Sequence, residues 1–518
     1  MKETLFFGGL DIVEAAGTSH LMIVGSTGSG KTLNLRMTMG STLPGVLEEN
    51  ADFRGVIFDV KQDMLSILHG ILRQSLANGK AWKDLSQDHQ RELNQKAAEK
   101  IITLNPFDKR CYEWDMAKDV TDPETALQLA TILIPEETGS NNRYFSDAAR
   151  DLLAGVLTFF FENADKSAKR PWGLSDVLYV MRSEERLRRV LEQTDEGKDL
   201  IALHMEMERT SKNIVSTGRS FLIPLQVPAA LWRHAGEQGR LISLKDFLTK
   251  NCLLVLGNNQ KALAPIQAIN RLVFQRLTEL ILDQPESDTR RTWIYLDEVR
   301  KLGKLDGLSD LMTNGRSKGV CVVLGFQDID GIRAVYGKEV AGELTSMPAT
   351  FGILRVSGAS TPQWASELFG EQERREITRS VNRAESDQGL TVTKGRNESI
   401  REKRVYLSAE FRMIPNPRRG ETLNGYFFSP FAEEEDRTPT TWKAEITPAA
   451  IQKYLHPKSE AYQDIEHWPL ETVKKLPAWE EEDEKRLALP PEGKKTMNEK
   501  PKKPRYTKGR GVKDIRSA

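Results

Sequence analysis

The chain has 518 residues, enough for about three domains of ordinary size, and 39% of the residues are hydrophobic. Its 74 Lys and Arg residues are balanced by 74 Asp and Glu residues. This balance excludes a protein that attracts nucleic acid over its whole surface, and it restricts any such contact to a local basic region. The chain has three widely spaced cysteines, Cys111, Cys252 and Cys321, which suggest a reducing compartment and no zinc site. The latter two lie in apolar, strand-like runs that predict buried, inert thiols.

The N-terminal residues show no basic segment followed by a long apolar core, so they do not predict a signal peptide. The longest apolar stretch, at 152–161, is interrupted and far shorter than the roughly 20 residues that span a bilayer. The sequence as it stands therefore predicts a soluble chain in the cytoplasm.

Short apolar runs bounded by turn residues predict β-strands along most of the chain. Helix-length segments separate these runs, and this alternation is typical of a parallel sheet covered by helices on both faces. We therefore predict an α/β fold with a parallel-rich central sheet, whose strands lie at 21–24, 56–60, 101–104, 253–257, 293–296, 320–326 and 351–356.

Between 107 and about 240 the strand signal disappears, and apolar residues recur three and four positions apart at 126–134 and 148–160. This spacing predicts an all-α domain inserted into the α/β domain. The predicted boundaries are 1–108 for the first part of the nucleotide-binding domain, 109–240 for the insertion and 241–443 for the second part.

From 444 onward, acidic and basic blocks alternate with prolines and few apolar residues remain. The run 480–484 is acidic, whereas 494–516 is rich in Lys and Arg. Because so little apolar surface is available to offset the entropy of ordering, we predict a charged and mostly disordered C-terminal tail over 444–518.

A phosphate-binding loop lies between the first predicted strand and a helix. Its sequence fits the pattern G-x-x-x-x-G-K-[ST], in which glycines let backbone amides wrap phosphate oxygens at a helix N-terminus. Lys31 is expected to reach the β- and γ-phosphates, and the Thr32 hydroxyl is expected to bind Mg²⁺. The cofactors predicted from this loop are ATP and Mg²⁺, and the loop consists of Gly25, Ser26, Thr27, Gly28, Ser29, Gly30, Lys31 and Thr32.

The strand at 293–296 ends in two acids, Asp297 and Glu298. We expect Asp297 to hold the metal and Glu298 to polarise the attacking water, which is the usual division between adjacent acids in this position. A strand followed by two merely solvated acids is the alternative interpretation, and the nearby phosphate-binding loop weakens it.

Two further polar residues flank the strand at 320–326. Gln327 follows it, at the edge where ligands of parallel sheets gather, and is placed to sense the γ-phosphate or to orient water. Arg316 precedes it in a cationic loop and is a candidate arginine finger for an adjacent subunit. A structural glutamine and a solvated surface arginine remain the alternatives.

Together these residues resemble the TrwB/TraD group of type IV secretion coupling proteins, the ATPases that deliver DNA to conjugation channels. The resemblance covers roughly 15–430, and its later motifs are more specific than the phosphate-binding loop. They lie at 56–65, 104–108, 297–298, 314–319, 323–327, 336–337, 354–356, 369–373 and 409–415.

The resemblance implies a RecA-like domain interrupted by an all-α domain, which assembles into a homo-hexameric ring around DNA. It also implies that Arg316 acts on a neighbouring subunit and that Gln327 couples the nucleotide state to movement. A relaxase and channel proteins are the partners it suggests. Two departures stand out: the family's N-terminal membrane anchor does not precede the loop, and the segment 59–62 lacks the family's Pro and Gly. A separately encoded anchor would place the protein at the inner membrane.

Three functions follow as hypotheses. The first is an ATP-driven motor that passes DNA to a type IV secretion channel. The second is a HerA/FtsK-like DNA translocase in repair, segregation or phage defence, and the third is an ATP-gated adaptor that recruits protein substrates. Stimulation of hydrolysis by DNA would separate the first two from the third.

Overall fold

A computed structural model describes residues 4–136, 143–386, 389–418, 421–431, 440–462, 465–469 and 476–490. The basic segment that begins at Lys494, for which we predicted a mobile tail, lies outside these residues. None of the described helices combines the length and the apolar character that a bilayer crossing requires.

The described strands, numbered in chain order, are β1 (Thr4–Phe7), β2 (Leu10–Val13), β3 (Leu21–Val24), β4 (Phe53–Phe58), β5 (Ile101–Thr103), β6 (Glu113–Trp114), β7 (Leu241–Ile242), β8 (Leu253–Leu256), β9 (Arg291–Leu296), β10 (Val320–Phe326), β11 (Thr350–Ile353), β12 (Glu371–Ser386), β13 (Gly389–Arg404), β14 (Leu423–Ser429) and β15 (Thr440–Ile446). Nine of them form the main sheet, in the order β15-β14-β11-β3-β10-β9-β4-β8-β5. Three hairpin or two-stranded pairs accompany it: β1 with β2, β6 with β7, and β12 with β13.

The described helices are α1 (Lys31–Thr42), α2 (Met64–Leu76), α3 (Gln87–Glu99), α4 (Met116–Asp119), α5 (Pro123–Leu133), α6 (Arg143–Asn163), α7 (Leu174–Met181), α8 (Glu184–Leu191), α9 (Asp195–His204), α10 (Glu208–Leu222), α11 (Gln226–Glu237), α12 (Leu244–Phe247), α13 (Leu263–Leu282), α14 (Leu308–Asn314), α15 (Ile329–Tyr336), α16 (Lys338–Ser346), α17 (Ser360–Phe369), α18 (Ser408–Met413), α19 (Pro448–Tyr454) and α20 (Glu481–Arg486).

The seven predicted strands are the seven strands of the main sheet that pair in parallel, from β11 to β5 in the sheet order. They are almost wholly apolar and buried on both faces, as strands covered by helices on two sides must be. The prediction of an α/β fold with a parallel-rich sheet is confirmed. The sheet also continues through two antiparallel strands that we did not predict, β14 and β15.

The described residues of 109–240 contribute no strand to the main sheet. They form helices α4 to α11, which share a continuous hydrophobic core with one face of the sheet. We call them the helical lobe. The lobe departs from the prediction of an all-α segment in one detail, because the two-residue strand β6 pairs with β7 across the predicted boundary at 240. The other face of the sheet packs against α1 and α2.

The prediction of a mostly disordered tail from 444 is wrong for the part that the structure describes. β15 is the edge strand of the main sheet, and α20 lies on the helical lobe. The indole N–H of Trp468 donates to the Pro106 carbonyl at 2.8 Å, and that of Trp479 donates to Asp176 at 3.1 Å. Much of the apolar surface of this segment is buried against the rest of the chain, so the segment needs no core of its own; the buried side chains include Ile446, Trp468, Leu476, Leu487 and Leu489.

The acidic run that we assigned to the tail also has a structural role. Asp483 of α20 pairs with Arg233 of the lobe at 3.0 Å, and Arg486 pairs with buried Asp176 at 2.6 Å. Burial opposes the charge on Asp176, but Arg170 and Arg486 outweigh burial and lower its pKa to about 2. The run therefore holds the C-terminal segment on the lobe, instead of forming a solvated acidic tail.

Residues 447–462, which we call the strap, cross the outer surface of α1 and α2 between β15 and the lobe. A methyl group at Gly40 of α1 would collide with the Tyr454 carbonyl, and one at Gly70 of α2 would collide with that of Pro457. The Ser459 amide donates to the Ser66 carbonyl at 2.9 Å, and the Tyr454 ring stacks on Phe6 at 4.2 Å. The two glycines thus provide the close approach that the strap needs.

Candidate functional site

The order of the strands determines which residues meet at the carboxyl edge of the sheet. β10 lies between β3, which leads into the loop 25–32, and β9, which leads into Asp297 and Glu298. β4 lies on the other side of β9 and leads into Lys61. Because all four strands are parallel, the residues that follow them converge at one edge.

The loop 25–32 has the backbone shape that phosphate binding requires. Gly28 and Gly30 adopt positive φ angles of 80° and 96°, which glycine reaches without the strain that a side chain would cause. The amide of Ser29 donates to the Ser26 carbonyl at 3.0 Å and closes the turn. The loop is tied to the neighbouring strand ends by the Gly25 and Ser26 amides, which donate to the Phe326 and Arg355 carbonyls.

The Lys31 side chain is buried beside both acids that follow β9. Its ammonium group lies 3.0 Å from Asp297 Oδ1 and 3.4 Å from Glu298 Oε2, and it also donates to the Asp297 carbonyl. Burial by itself would raise the pKa of Asp297, but the positive charges of Lys31 and Lys61 outweigh burial and hold that pKa below its ordinary value. Asp297 is therefore an anion in this site.

The residues present fit a magnesium ion. The Thr32 hydroxyl lies 3.3 Å from Asp297 Oδ2, so a hydroxyl and a carboxylate oxygen converge on one point. The Lys61 ammonium lies beside both oxygens, 2.5 Å from Thr32 Oγ1 and 3.3 Å from Asp297 Oδ2. No group of three or more His, Cys, Asp or Glu side chains suited to a metal occurs among the described residues. Phosphate oxygens would have to complete the coordination.

Gln327 connects the phosphate-binding loop with the acids. Its amide nitrogen donates to Glu298 Oε2 at 2.8 Å, and its carbonyl oxygen accepts from the Thr27 hydroxyl at 3.2 Å. The two hydrogen bonds join the loop to the acid through this one side chain. This contact favours the sensor interpretation of Gln327 over that of a structural glutamine at a strand end.

Arg316 is the one predicted site residue that the structure does not bring to this edge. It lies in a short turn before β10, whereas Gln327 follows β10. The seven residues of β10 separate the two by roughly 20 Å at about 3.3 Å per residue. The exposed Arg316 side chain makes no hydrogen bond or ion pair with any described residue. Within one subunit it cannot reach the phosphate-binding loop.

A cavity of about 710 Å³ opens over the loop. Its inner part is lined by the loop, Lys61, Glu298 and Gln327, whereas its outer part is lined by Leu33, by residues near 417–421 and by the strap. A volume of this size is typical of sites for cofactors and small molecules. The cavity thus extends beyond the phosphate-binding residues.

Sequence reasoning missed two parts of the site. Lys61 lies in the segment 59–62, to which we assigned no role. Its position after a predicted parallel strand could have indicated that it lies at the same sheet edge as the site. The strap was assigned to a disordered tail, although Thr447 caps α19, Pro448 occupies its first turn, and apolar side chains recur at 448, 451 and 455. That combination is typical of an amphipathic helix.

Asp59, between β4 and α2, is a buried carboxyl group near the site. It accepts hydrogen bonds from the amides of Asp63 and Met64 at 3.1 and 3.2 Å. Burial and the charge of Asp63 nevertheless raise its pKa to about 7. Since the pKa is higher in the folded chain than in the unfolded chain, the contribution of Asp59 to stability is most favourable below about pH 4 and is lost as the pH rises towards about 7.

We therefore expect Asp59→Asn to gain stability relative to the natural chain as the pH rises from about 5 to about 8, because asparagine has no charge to bury. Each pKa unit corresponds to about 1.4 kcal/mol, so the gain should be on the order of a few kcal/mol. Denaturant unfolding of both proteins at each pH measures it. The substitution Asp88→Asn, at an exposed position, should show no such trend. If the stability of Asp59→Asn and that of the natural chain changed with pH in the same way, the burial argument would be wrong.

The fold and the site define a P-loop nucleotide-binding protein with an α/β core. Residues 4–423 match the family described as the type IV secretion-system coupling protein DNA-binding domain. The chain belongs to this family.

Relatives of known identity agree with this assignment. The coupling protein TraD of Escherichia coli K12 is 23% identical over 276 residues, a match that covers 52% of this chain and 37% of TraD. Among solved structures, the bacterial conjugative coupling protein TrwB in an unbound monoclinic form is 20% identical, with a TM-score of 0.58 over 86% of this chain and 88% of the other. TrwB in complex with ADP and Mg²⁺ is 21% identical, with a TM-score of 0.56 over 86% and 89%. The chain thus has a TrwB-like fold.

Proposed function

We propose that the chain is an ATP-driven motor that moves DNA towards a type IV secretion channel. The convergence of the loop 25–32, the acid pair and Gln327 at one sheet edge carries this proposal, in a chain of the coupling-protein family. Solved TrwB complexes contain ADP with Mg²⁺ and a non-hydrolysable ATP analogue, which supports ATP and Mg²⁺ as the cofactors here.

In this proposal each side chain of the site has a separate task. Lys31 and the loop amides would hold the phosphates, and Thr32 and Asp297 would hold Mg²⁺, which would neutralise phosphate charge. Glu298 takes the proton of the attacking water, and Gln327 positions that water and links the acid to the loop. Lys31 releases the acids when a triphosphate arrives, because phosphate oxygens then satisfy its ammonium group.

Arg316 completes the site from a neighbouring subunit in the proposed mechanism. Its distance from the loop of its own chain and its unpaired, exposed side chain support a role at a subunit boundary. The proposal therefore includes a homo-hexameric ring with one site at each boundary and DNA in its centre. A relaxase, the channel proteins and a separate membrane anchor at the inner membrane are its proposed partners.

The domain division belongs to the same proposal. The segments 1–108 and 241–443 form the nucleotide-binding core, and 109–240 forms the inserted helical domain. We extend the core through β15 and the strap, because both pack on it.

DNA-stimulated ATP hydrolysis tests the proposed function. We expect DNA to raise ATP turnover several-fold at low salt and less at high salt, because backbone contacts release counterions. Lys31→Ala should abolish turnover with and without DNA, whereas Lys166→Ala, at an exposed lysine of the lobe, should not. Hydrolysis that is indifferent to DNA but stimulated by a secreted protein would favour the adaptor function instead.

A further inference from the structure

The outer part of the cavity over the phosphate-binding loop differs in chemistry from the inner part. Its wall is formed by Pro448, Ile451 and Leu455 of the strap, with Leu33 of α1 and Pro417 also lining it. Leu33 follows Thr32 directly in α1. An apolar wall therefore adjoins the position that the phosphates would occupy.

The wall is rigidly attached to the helix that the phosphates would bind. The side chain of Arg36 in α1 donates to the His456 carbonyl at 3.1 Å. Tyr454, the last residue of α19, donates to Asp11 at 2.5 Å and stacks on Phe6, which adds a second attachment at this end of the helix. Because Gly40 leaves room for the strap on α1, the wall is already formed before any ligand binds.

Polar side chains also line the outer part of the cavity, namely Arg418, Glu421 and Gln452. Gln452 lines the cavity next to Ile451, and its amide offers both a donor and an acceptor. A purine base has two apolar faces and a polar edge that needs both kinds of partner. The apolar side chains of the strap, together with this amide, match both features of a base.

We propose that the strap is the wall of the nucleotide site that binds the base, a role that rests on the proposed function in which this site takes ATP. Ile451 and Leu455 cover the face of the purine ring, and Gln452 binds its edge. The family match ends at residue 423, so this wall comes from a part of the chain beyond the family region. The strap makes the site select a nucleoside triphosphate over inorganic phosphates.

Binding of Mg²⁺-ATP and of Mg²⁺-tripolyphosphate, which lacks the base, distinguishes the two parts of the cavity. The double variant Ile451→Ala/Leu455→Ala should weaken ATP binding about tenfold, because two aliphatic contacts with the ring are lost. Its affinity for tripolyphosphate should stay unchanged. Gln452→Ala, at an exposed position that cannot disturb the core, should weaken ATP binding several-fold and leave tripolyphosphate binding unchanged.

Two control variants separate the possible failures. Lys453→Ala shortens a side chain on the same helix that does not line the cavity, and it should bind both ligands as the natural chain does. Lys31→Ala should lose both ligands, and if it keeps both, the proposed function fails. If Lys31→Ala loses both while the strap variants bind ATP normally, only the base-wall proposal is wrong. Loss of tripolyphosphate binding in the strap variants would also overturn it, because the strap would then act through the phosphate-binding loop.

Discussion

Glu298→Gln should lower ATP turnover by about 10²- to 10⁴-fold, the usual contribution of a general base, while ATP binding persists. Glutamine has nearly the same shape and keeps an oxygen that can accept from Gln327, so the loop and the acid remain connected. It cannot take a proton from water. Steady-state turnover and equilibrium ATP binding of the same preparation measure the two effects.

The variant should also accumulate in an ATP-bound form, since binding continues without turnover. Glu339→Gln, which removes the charge of an exposed glutamate in α16, provides the matched control and should turn over normally. If Glu298→Gln turned over ATP at nearly the natural rate, another group would have to act as the general base. The first candidate would then be Asp297, which the neighbouring lysines keep charged.

Arg316→Ala should lower turnover by about a thousandfold or more, since arginine fingers contribute 10³ to 10⁵ in related P-loop enzymes. Folding and nucleotide binding should be kept, because the side chain has no hydrogen-bonding or ionic partner in its own subunit among the described residues. Turnover measures the loss of catalysis, whereas ATP affinity and thermal unfolding measure whether nucleotide binding and the fold are kept. Lys318→Ala removes a cation from the same turn and should have a much smaller effect.

Mixing two inactive variants tests where Arg316 acts. A Lys31→Ala subunit still carries Arg316, and an Arg316→Ala subunit still carries an intact phosphate-binding loop. If each site is built from two subunits, mixed rings contain some complete sites and activity should return. If mixed rings form and stay inactive while Arg316→Ala remains folded, the shared-site mechanism is wrong.

Local sequence patterns determined the parallel sheet and the phosphate-binding loop. An apolar run of four to seven residues between turns has the length of a buried strand and is too short for most helices, and all seven predicted runs are parallel strands. Gly28 and Gly30 likewise mark positive φ angles that few other residues adopt. The placement of Asp297 and Gln327 after such strands was sufficient to predict that they meet at one sheet edge.

The tertiary structure alone decided the positions of Lys61, Arg316 and the C-terminal segment. Whether Lys61 meets Asp297 depends on which strand lies next to β9, and strand order is a property of distant pairs of residues. The segment after 444 has too few apolar residues to form a core. Gly40 and Gly70 nevertheless leave room for its backbone, and Trp468 is buried beside Pro106 and His234. Burial depends on surfaces hundreds of residues away, so composition within one segment could not predict it.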